Sequence, residues 1–341
     1  MVKTPNSSAF LLVLSLALWA CNSQPQIRWS ETQQQGQAHM RGVQYVNDSV
    51  MWASGTQGTV LRSTDGGKNW EVKRVPGADS LDFRDIHAVD DKKAWVISAG
   101  SPGRIYRTTD GGQVWYLLYN NNKPEIFMDG MDGHGDSIVV YGDPMDGPLL
   151  FLRSNNGKSW ERINHPRLQP LANEAGFAAS GTGIALRGEK IYFATGGAAY
   201  CRMFVSQNWG SNWDHYPIPL RSAEGAGVFS ICLGPENTVL AAGGDYRDST
   251  RNDSNLAISY DGGKQWKLLP QSLGGYRSCI QAGQVNGKVF YMACGRSGID
   301  LSWDGEQWEN ISSEGFYALS IKDNKGLLVG RSGKIKSFVM E

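Results

Sequence analysis

The chain has 341 residues, 33 of them basic and 33 acidic, and this zero formal charge argues against nucleic acid or an anionic membrane surface as a partner for the molecule as a whole. Its 42 glycines, 12 tryptophans and only 13 prolines describe a turn-rich, aromatic, all-β protein. No phosphate-binding glycine loop, dinucleotide fingerprint, haem-attachment C-x-x-C-H or zinc-like Cys/His spacing is written anywhere in it, so no cofactor and no metal is expected.

Residues 1–20 carry Lys3 and then an apolar stretch over 9–20, too short and wrongly flanked for a membrane span, and they read as a secretion signal. The signal ends Leu18-Trp19-Ala20-Cys21, which resembles the bacterial lipobox and makes Cys21 the lipidated first residue of the mature chain; the alternative is an ordinary signal peptide with an incidental cysteine. Residues 21–25 would form a tether. With Asn rather than Asp at position 22 and no acidic run after Cys21, the expected location is the outer membrane, facing the periplasm and held only by the lipid. Loss of Lys3 with the signal leaves a charge of about minus one.

From residue 26 onward the chain reads as one domain to residue 341. A lone strand over 26–32 precedes the first repeat. Short alternating strands follow at 43–46, 49–53 and 59–62, leading into Ser63-Thr64-Asp65-Gly66-Gly67-Lys68-Asn69-Trp70. The pattern recurs over 85–89, 94–98 and 104–108 and ends in a second such phrase, residues 108–115, with a third complete copy over 259–266. Residues 206–213 keep the frame with Asn208 for the aspartate, and residues 154–160 and 302–308 are one residue shorter. The phrase Ser/Thr-x-Asp-x-Gly-x-x-Trp resembles the Asp-box of bacterial neuraminidase-type (BNR) repeats. Its chemistry is that of a self-satisfied turn: Ser63, Thr108, Ser206 and Ser259 with Asp65, Asp110, Asn208 and Asp261 bond backbone groups of their own loop. Gly67, Gly112, Gly210 and Gly263 allow the turn, and Trp70, Trp115, Trp213 and Trp266 bury a large ring beneath it.

The closing tryptophans at 70, 115, 160, 213, 266 and 308 lie about 42 to 53 residues apart, the period of four-stranded propeller blades. After Trp308 three strands remain, at 316–321, 326–330 and 334–339, without a fourth. We therefore expect a seven-bladed β-propeller in which the N-terminal strand completes the last blade and removes the open edges, with six blades and an irregular tail as the alternative. Cys279 and Cys294 fall at facing ends of the first two strands of blade six, where a disulfide and a pair of buried free thiols both remain open.

The boxes belong to one rim and are structural, whereas the loop after each blade's second strand opens on the opposite face. Aligned repeats place there residues 54–56, 99–101, 142–144, 195–197, 244–246, 295–297 and 330–332, glycine recurring and its neighbours varying. Together with the residues that open the innermost strands, this predicts an axial pocket lined by Asp143, Glu174, Asp245, Tyr246, Tyr276, Arg277, Arg296, Tyr317 and Arg331. The alternative is that these charges pair with one another around a solvent-filled axis.

The repeated form Ile/Val-Tyr/Leu-Arg-Ser/Thr-Thr-Asp-Gly-Gly-x-x-Trp, as in residues 60–70 and 105–115, with seven blades and an exported N-terminus, resembles the Ycf48/HCF136-like group of photosystem II assembly-factor-like propellers over residues 26–341. That resemblance implies a non-enzymatic, monomeric scaffold that holds an envelope or membrane protein through an arginine-rich patch, here Arg277, Arg296 and Arg331, although Asp143, Glu174 and Asp245 depart from a purely basic surface. Asp-box propellers also resemble sialidases and xyloglucan-type hydrolases, which implies a glycan ligand and catalytic carboxylates, for which Asp143, Glu174 and Asp245 are the candidates. The sialidase Phe/Tyr-Arg-Ile-Pro segment is absent.

Overall fold

A computed structural model describes Met1, residues 25–270 and residues 273–341. Cys21, the signal and most of the tether lie outside the described residues. Seven antiparallel sheets are arranged in chain order, each built of four strands that neighbour one another in sequence, except the last. The innermost strands of blades one to seven are Met40–Tyr45, Asp82–Ala88, Met128–His134, Ile184–Arg187, Ala226–Leu233, Cys279–Val285 and Ala318–Lys322. The expected seven-bladed propeller is the architecture found.

The last blade closes as the sequence predicts. Ala318–Lys322, Lys325–Val329 and Lys334–Met340 form three strands, and Ile27–Trp29 supplies the fourth, with Ile27 opposite Met340 and Trp29 opposite Phe338. The strand expected over 26–32 is shorter than anticipated, but the chain pairs again with the same neighbour at Gln33–Gln34. Backbone bonds between Gln26 and Glu341 run in both directions at 2.9 and 2.8 Å, and the Trp29 ring lies 5.5 Å from that of Phe338. Blade seven then packs on blade one: Leu327, Val329 and Ile335 share a core with Met40, Ala53 and Leu61.

Each sheet presents apolar residues to both neighbours, so the core is divided among the gaps between blades rather than gathered in one place. The largest side chains seal these gaps. Trp52 and Trp95 are fully buried, and their indole N–H groups reach turns of the next blade, at Asp90 O (2.9 Å) and Gly157 O (2.7 Å).

The Asp-box joins the third and fourth strands. Ser63 Oγ accepts the Gly67 N–H at 2.9 Å and donates to Asp65 Oδ1 at 2.9 Å, which in turn accepts the Asn69 N–H at 2.9 Å. Gly66 and Gly67 have φ of 77° and 82°, a region a side chain would strain. Hydrogen bonds from the Asn69 backbone and side chain hold the Asp65 carboxyl down to about 2. The same network recurs at Ser206 with Asn208 and at Ser259 with Asp261, and Trp213 and Trp266 close their boxes as Trp70 does, donating to the box glycine's carbonyl at 3.0 and 2.9 Å. In the Thr108 box the Trp115 indole N–H has no partner.

Cys279 and Cys294 face each other in register on adjacent strands and, like Cys201 and Cys232, are buried free thiols.

The closing strand predicts the first mutational outcome. Trp29→Ala should lower the free energy of unfolding by about 2 kcal/mol, less than a fully buried tryptophan because Trp29 is only half-buried. A shift in the urea midpoint relative to an outer-strand substitution elsewhere, such as Val72→Ala, measures it.

Candidate functional site

One local irregularity builds the axial face. In blades one, two, three and five the register between the innermost and second strands slips by one residue, between Met40 and Gly42, Phe83 and Asp85, Met128 and Gly130, and Val228 and Ser230. Each slip is a β-bulge, which leaves one residue without a cross-strand partner and re-aims its side chain. The bulged residues are Arg41, Arg84, Asp129 and Phe229, and all four line a single cavity at the axis. Ser278 and Tyr317 hold the corresponding places in blades six and seven, one residue before the pairs Cys279–Cys294 and Ala318–Val329, and line it too. The residue ahead of each slip, Met40, Phe83, Met128 or Val228, is fully buried. Glycine follows where backbones meet: a Cβ on Gly130 would lie 2.4 Å from Gly181 O.

The cavity has a volume of about 500 Å³ and its wall divides into sectors. Blades one and two contribute Arg41 and Arg84, blade three contributes Asp129 and Asp143, and the remaining arc is largely aromatic, with Phe177, Phe229, Tyr246, Tyr276 and Tyr317 beside Arg296.

Five of the nine residues expected from the sequence meet here: Asp143, Tyr246, Tyr276, Arg296 and Tyr317. The other four do not. Glu174 is sealed in the protein, where it accepts from Arg202 Nε (2.8 Å) and Nη2, from Thr195 Oγ1 (2.5 Å) and from the Leu171 N–H (2.7 Å). Arg277 is fully buried and its Nε donates to Asp300 Oδ2 at 2.6 Å. It stands one residue ahead of Ser278, the place that Met40 and Phe83 fill in their own blades, which turns it between sheets rather than toward the axis. Asp245 accepts the Arg247 N–H at 2.9 Å and lies 4.0 Å from Arg221 Nε, capping its own loop. Arg331 is exposed on the turn Arg331–Gly333, away from the cavity wall. Asp143, Glu174 and Asp245 therefore do not assemble into one carboxylate cluster.

Sequence reasoning missed Arg41, Arg84, Asp129 and Phe229. The signal was present in Met40-Arg41-Gly42-Val43 and Met128-Asp129-Gly130-Met131: two hydrophobes three apart around a polar and a small residue break the alternation of a regular strand.

The charges of the cavity are unequally matched. Arg84 is held by Asp82 Oδ2 (2.6 Å) and by the carbonyl of Ala178 (2.5 Å). Glu224 is held by both terminal nitrogens of Arg247, at 3.1 and 2.7 Å. Arg296 donates to Tyr246 O and lies 5.9 Å from the centre of the Tyr276 ring. Arg41 lies 4.4 Å over the Tyr317 ring, and its buried Nε has no hydrogen-bond partner among the described residues. Burial and the neighbouring Arg84 lower its pKa. Asp129 is 1% exposed, and neither of its oxygens meets a donor in hydrogen-bond geometry. Its neighbours are the Asp143 carboxyl and, more loosely, the Ala178 N–H. Burial, then the adjacent Asp143, pushes the Asp129 carboxyl well above the carboxylate range. Burial likewise pushes Asp143 up to about 6, although one of its oxygens accepts the Gly176 N–H at 2.8 Å. Two carboxyls in contact keep a proton between them.

At the other end of the channel a second cavity, of about 260 Å³, is lined by inner-strand backbone and by Asp85 and Asp132. These two act as clamps between blades: Asp85 accepts the Met131 N–H and Asp132 the Leu186 N–H, both at 2.8 Å.

Seven four-stranded blades, six of them with an Asp-box turn between the outer strands, define a BNR-repeat β-propeller. Residues 20–125 match the family described as photosynthesis system II assembly factor YCF48. That match covers less than a third of the chain, which over most of its length is similar to YCF48 in fold. Solved structures agree at the level of the fold. YCF48 bound to D1 peptide superposes with a TM-score of 0.63 at 16% identity, covering 92% of this chain and 97% of that one. YCF48 from Cyanidioschyzon merolae gives 0.65 at 15%, covering 91% and 98%. A catalytically inactive virginiamycin B lyase from Staphylococcus aureus with quinupristin gives 0.68 at 12%, covering 93% and 100%. No curated protein matches the chain in sequence.

Two outcomes follow from the geometry. Asp143 has a folded pKa above its ordinary value, so its contribution to stability is complete below about pH 4 and is lost as pH rises through about 6. Asp143→Asn should therefore gain stability relative to the native chain across that interval, measured by thermal unfolding at several pH values. Arg277→Ala should cost about 3–5 kcal/mol by stranding buried Asp300, whereas Arg41→Ala should change stability by no more than about 1 kcal/mol. Parallel denaturant titrations separate the two.

Proposed function

We propose that this protein is an exported, lipid-anchored scaffold that binds an envelope or membrane protein through its axial face, without covalent chemistry. The observation that carries the reading is Arg41, whose buried Nε has no hydrogen-bond partner among the described residues and which lines one cavity with Arg296 and the exposed Tyr246. Arginine and tyrosine are the side chains that most often anchor a protein interface, and an arginine without an internal partner loses nothing by engaging an external one. The likeness to YCF48 supports a protein-binding role, because a structure of that protein holds a D1 peptide. The leader and Cys21 support export and anchoring. Of the basic element expected from the sequence, this reading keeps Arg296 and replaces Arg277 and Arg331 with Arg41.

Affinity capture from native envelopes, followed by mass spectrometry, tests the reading with the native chain and an Arg41→Glu/Arg296→Glu variant of matched thermal stability. A specific envelope protein should be recovered with the native chain and reduced about tenfold or more with the variant. Identical recovery from the two would overturn the axial assignment. Cys21→Ser should move the protein from the membrane to the soluble fraction, and retention of that variant in membranes would refute the anchor.

A further inference from the structure

The Asp129–Asp143 carboxyl pair and the Arg41 guanidinium face the same cavity, and no ion pair joins them among the described residues. Asp129 carries the stronger constraint: it is 1% exposed, no N–H among the described residues reaches either of its oxygens in good hydrogen-bond geometry, and it borders the cavity. Leaving a buried carboxyl in that condition is costly unless something supplies the missing donors. Arg41, two blades away, has a buried Nε with no acceptor, and no ion pair joins it to Asp129 among the described residues. Arg84 stands between them in blade order, but Asp82 and Ala178 O already hold it. Beside both groups Phe177, Phe229 and Tyr276 pack ring on ring, with centroids 4.2 and 4.7 Å apart, and give the cavity an apolar wall.

We propose that the axial cavity binds a small zwitterion, an α-amino acid or short peptide, with its ammonium on the Asp129 and Asp143 carboxyls, its carboxylate on Arg41 and its side chain on the Phe177, Phe229 and Tyr276 wall. An ammonium has three donors, and the carboxyl pair offers the acceptors of Asp129 that no protein N–H takes in good geometry. A guanidinium matches a carboxylate with two parallel hydrogen bonds, and the Tyr317 ring beneath Arg41 fixes its plane. The volume of about 500 Å³ falls within the range of roughly 300–1,000 Å³ typical of small-molecule sites. Gly176 completes the fit: its N–H orients Asp143, and a Cβ there would lie 2.2 Å from Asp129 Oδ2, so any larger residue would crowd the carboxyl pair. This assignment does not rest on the protein-partner reading, since the two charged ends belong to one small molecule.

Isothermal titration of the purified mature chain tests it with phenylalanine, the dipeptide Leu-Phe, N-acetyl-Leu-Phe and Leu-Phe amide. Leu-Phe should bind, and capping either end should weaken it about tenfold or more. Asp129→Asn should weaken Leu-Phe by a similar factor and leave the N-acetylated form unchanged. Arg41→Gln should weaken Leu-Phe and leave the amide unchanged. Phenylalanine binding as tightly as the dipeptide would identify a free amino acid as the ligand class, and tighter dipeptide binding would identify a peptide. No heat from either at millimolar concentration, or capped and free dipeptides of equal affinity, would overturn the proposal. The capped ligands decide it on the native chain alone, even if a variant fails to fold.

Discussion

Each of the innermost strands is short, and none can bury its apolar side chains alone. The ring therefore holds together only when every blade is covered on both sides. The pairing of Ile27–Trp29 with Lys334–Met340 supplies the last cover, tying two ends of the chain more than 300 residues apart in sequence into one sheet. On the inner side, hydrogen bonds pass from blade to blade: Asp85 to Met131, Asp132 to Leu186, Ser230 to Ile280 and Ser320 to Tyr45. The last of these crosses the same junction as the terminal strand. A cavity whose wall takes contributions from all seven blades exists only while that junction is shut.

Within this frame the β-bulge separates two duties that a regular strand would force on one pattern. The residues flanking the bulge pack between sheets, and the bulged residue turns to the axis, free of cross-strand obligation. Arg277 shows how strict the distinction is. One place earlier than Ser278, it is fully buried and held by Asp300, Ser297 Oγ and the Tyr276 carbonyl. The same residue type at position 41 is a cavity group lying on a tyrosine ring.

The fold was legible because its signals are repeated and local. The six boxes fix the outer turns, and the missing fourth strand after residue 334 points to residues 26–32. The site was only partly legible. Asp143, at the end of its second strand, and the loop residues Tyr246 and Arg296 could be placed by counting from the boxes. Arg41, Arg84 and Asp129 could not, because a one-residue slip reverses which face a side chain takes and an alternation pattern cannot display it without the partner strand. Glu174 and Arg277 looked like axial charges for a related reason: the sequence gives no sign of Arg202 and Asp300, which are distant in the chain and close in space. The disulfide alternative for Cys279 and Cys294 rested on register alone, and that register proved right while the thiols are free.

The bulge also bears on how such a protein could change its ligand. Because the axial residue of each blade is decoupled from the packing around it, it can be exchanged with little disturbance to the sheet that carries it. The mouth of the propeller thus behaves as a row of positions, one to a blade, that can be rewritten separately. In this chain the row reads arginine, arginine and aspartate in blades one to three, then phenylalanine, serine and tyrosine in blades five to seven. A scaffold of this kind can acquire a new specificity by single substitutions, while its architecture stays the same.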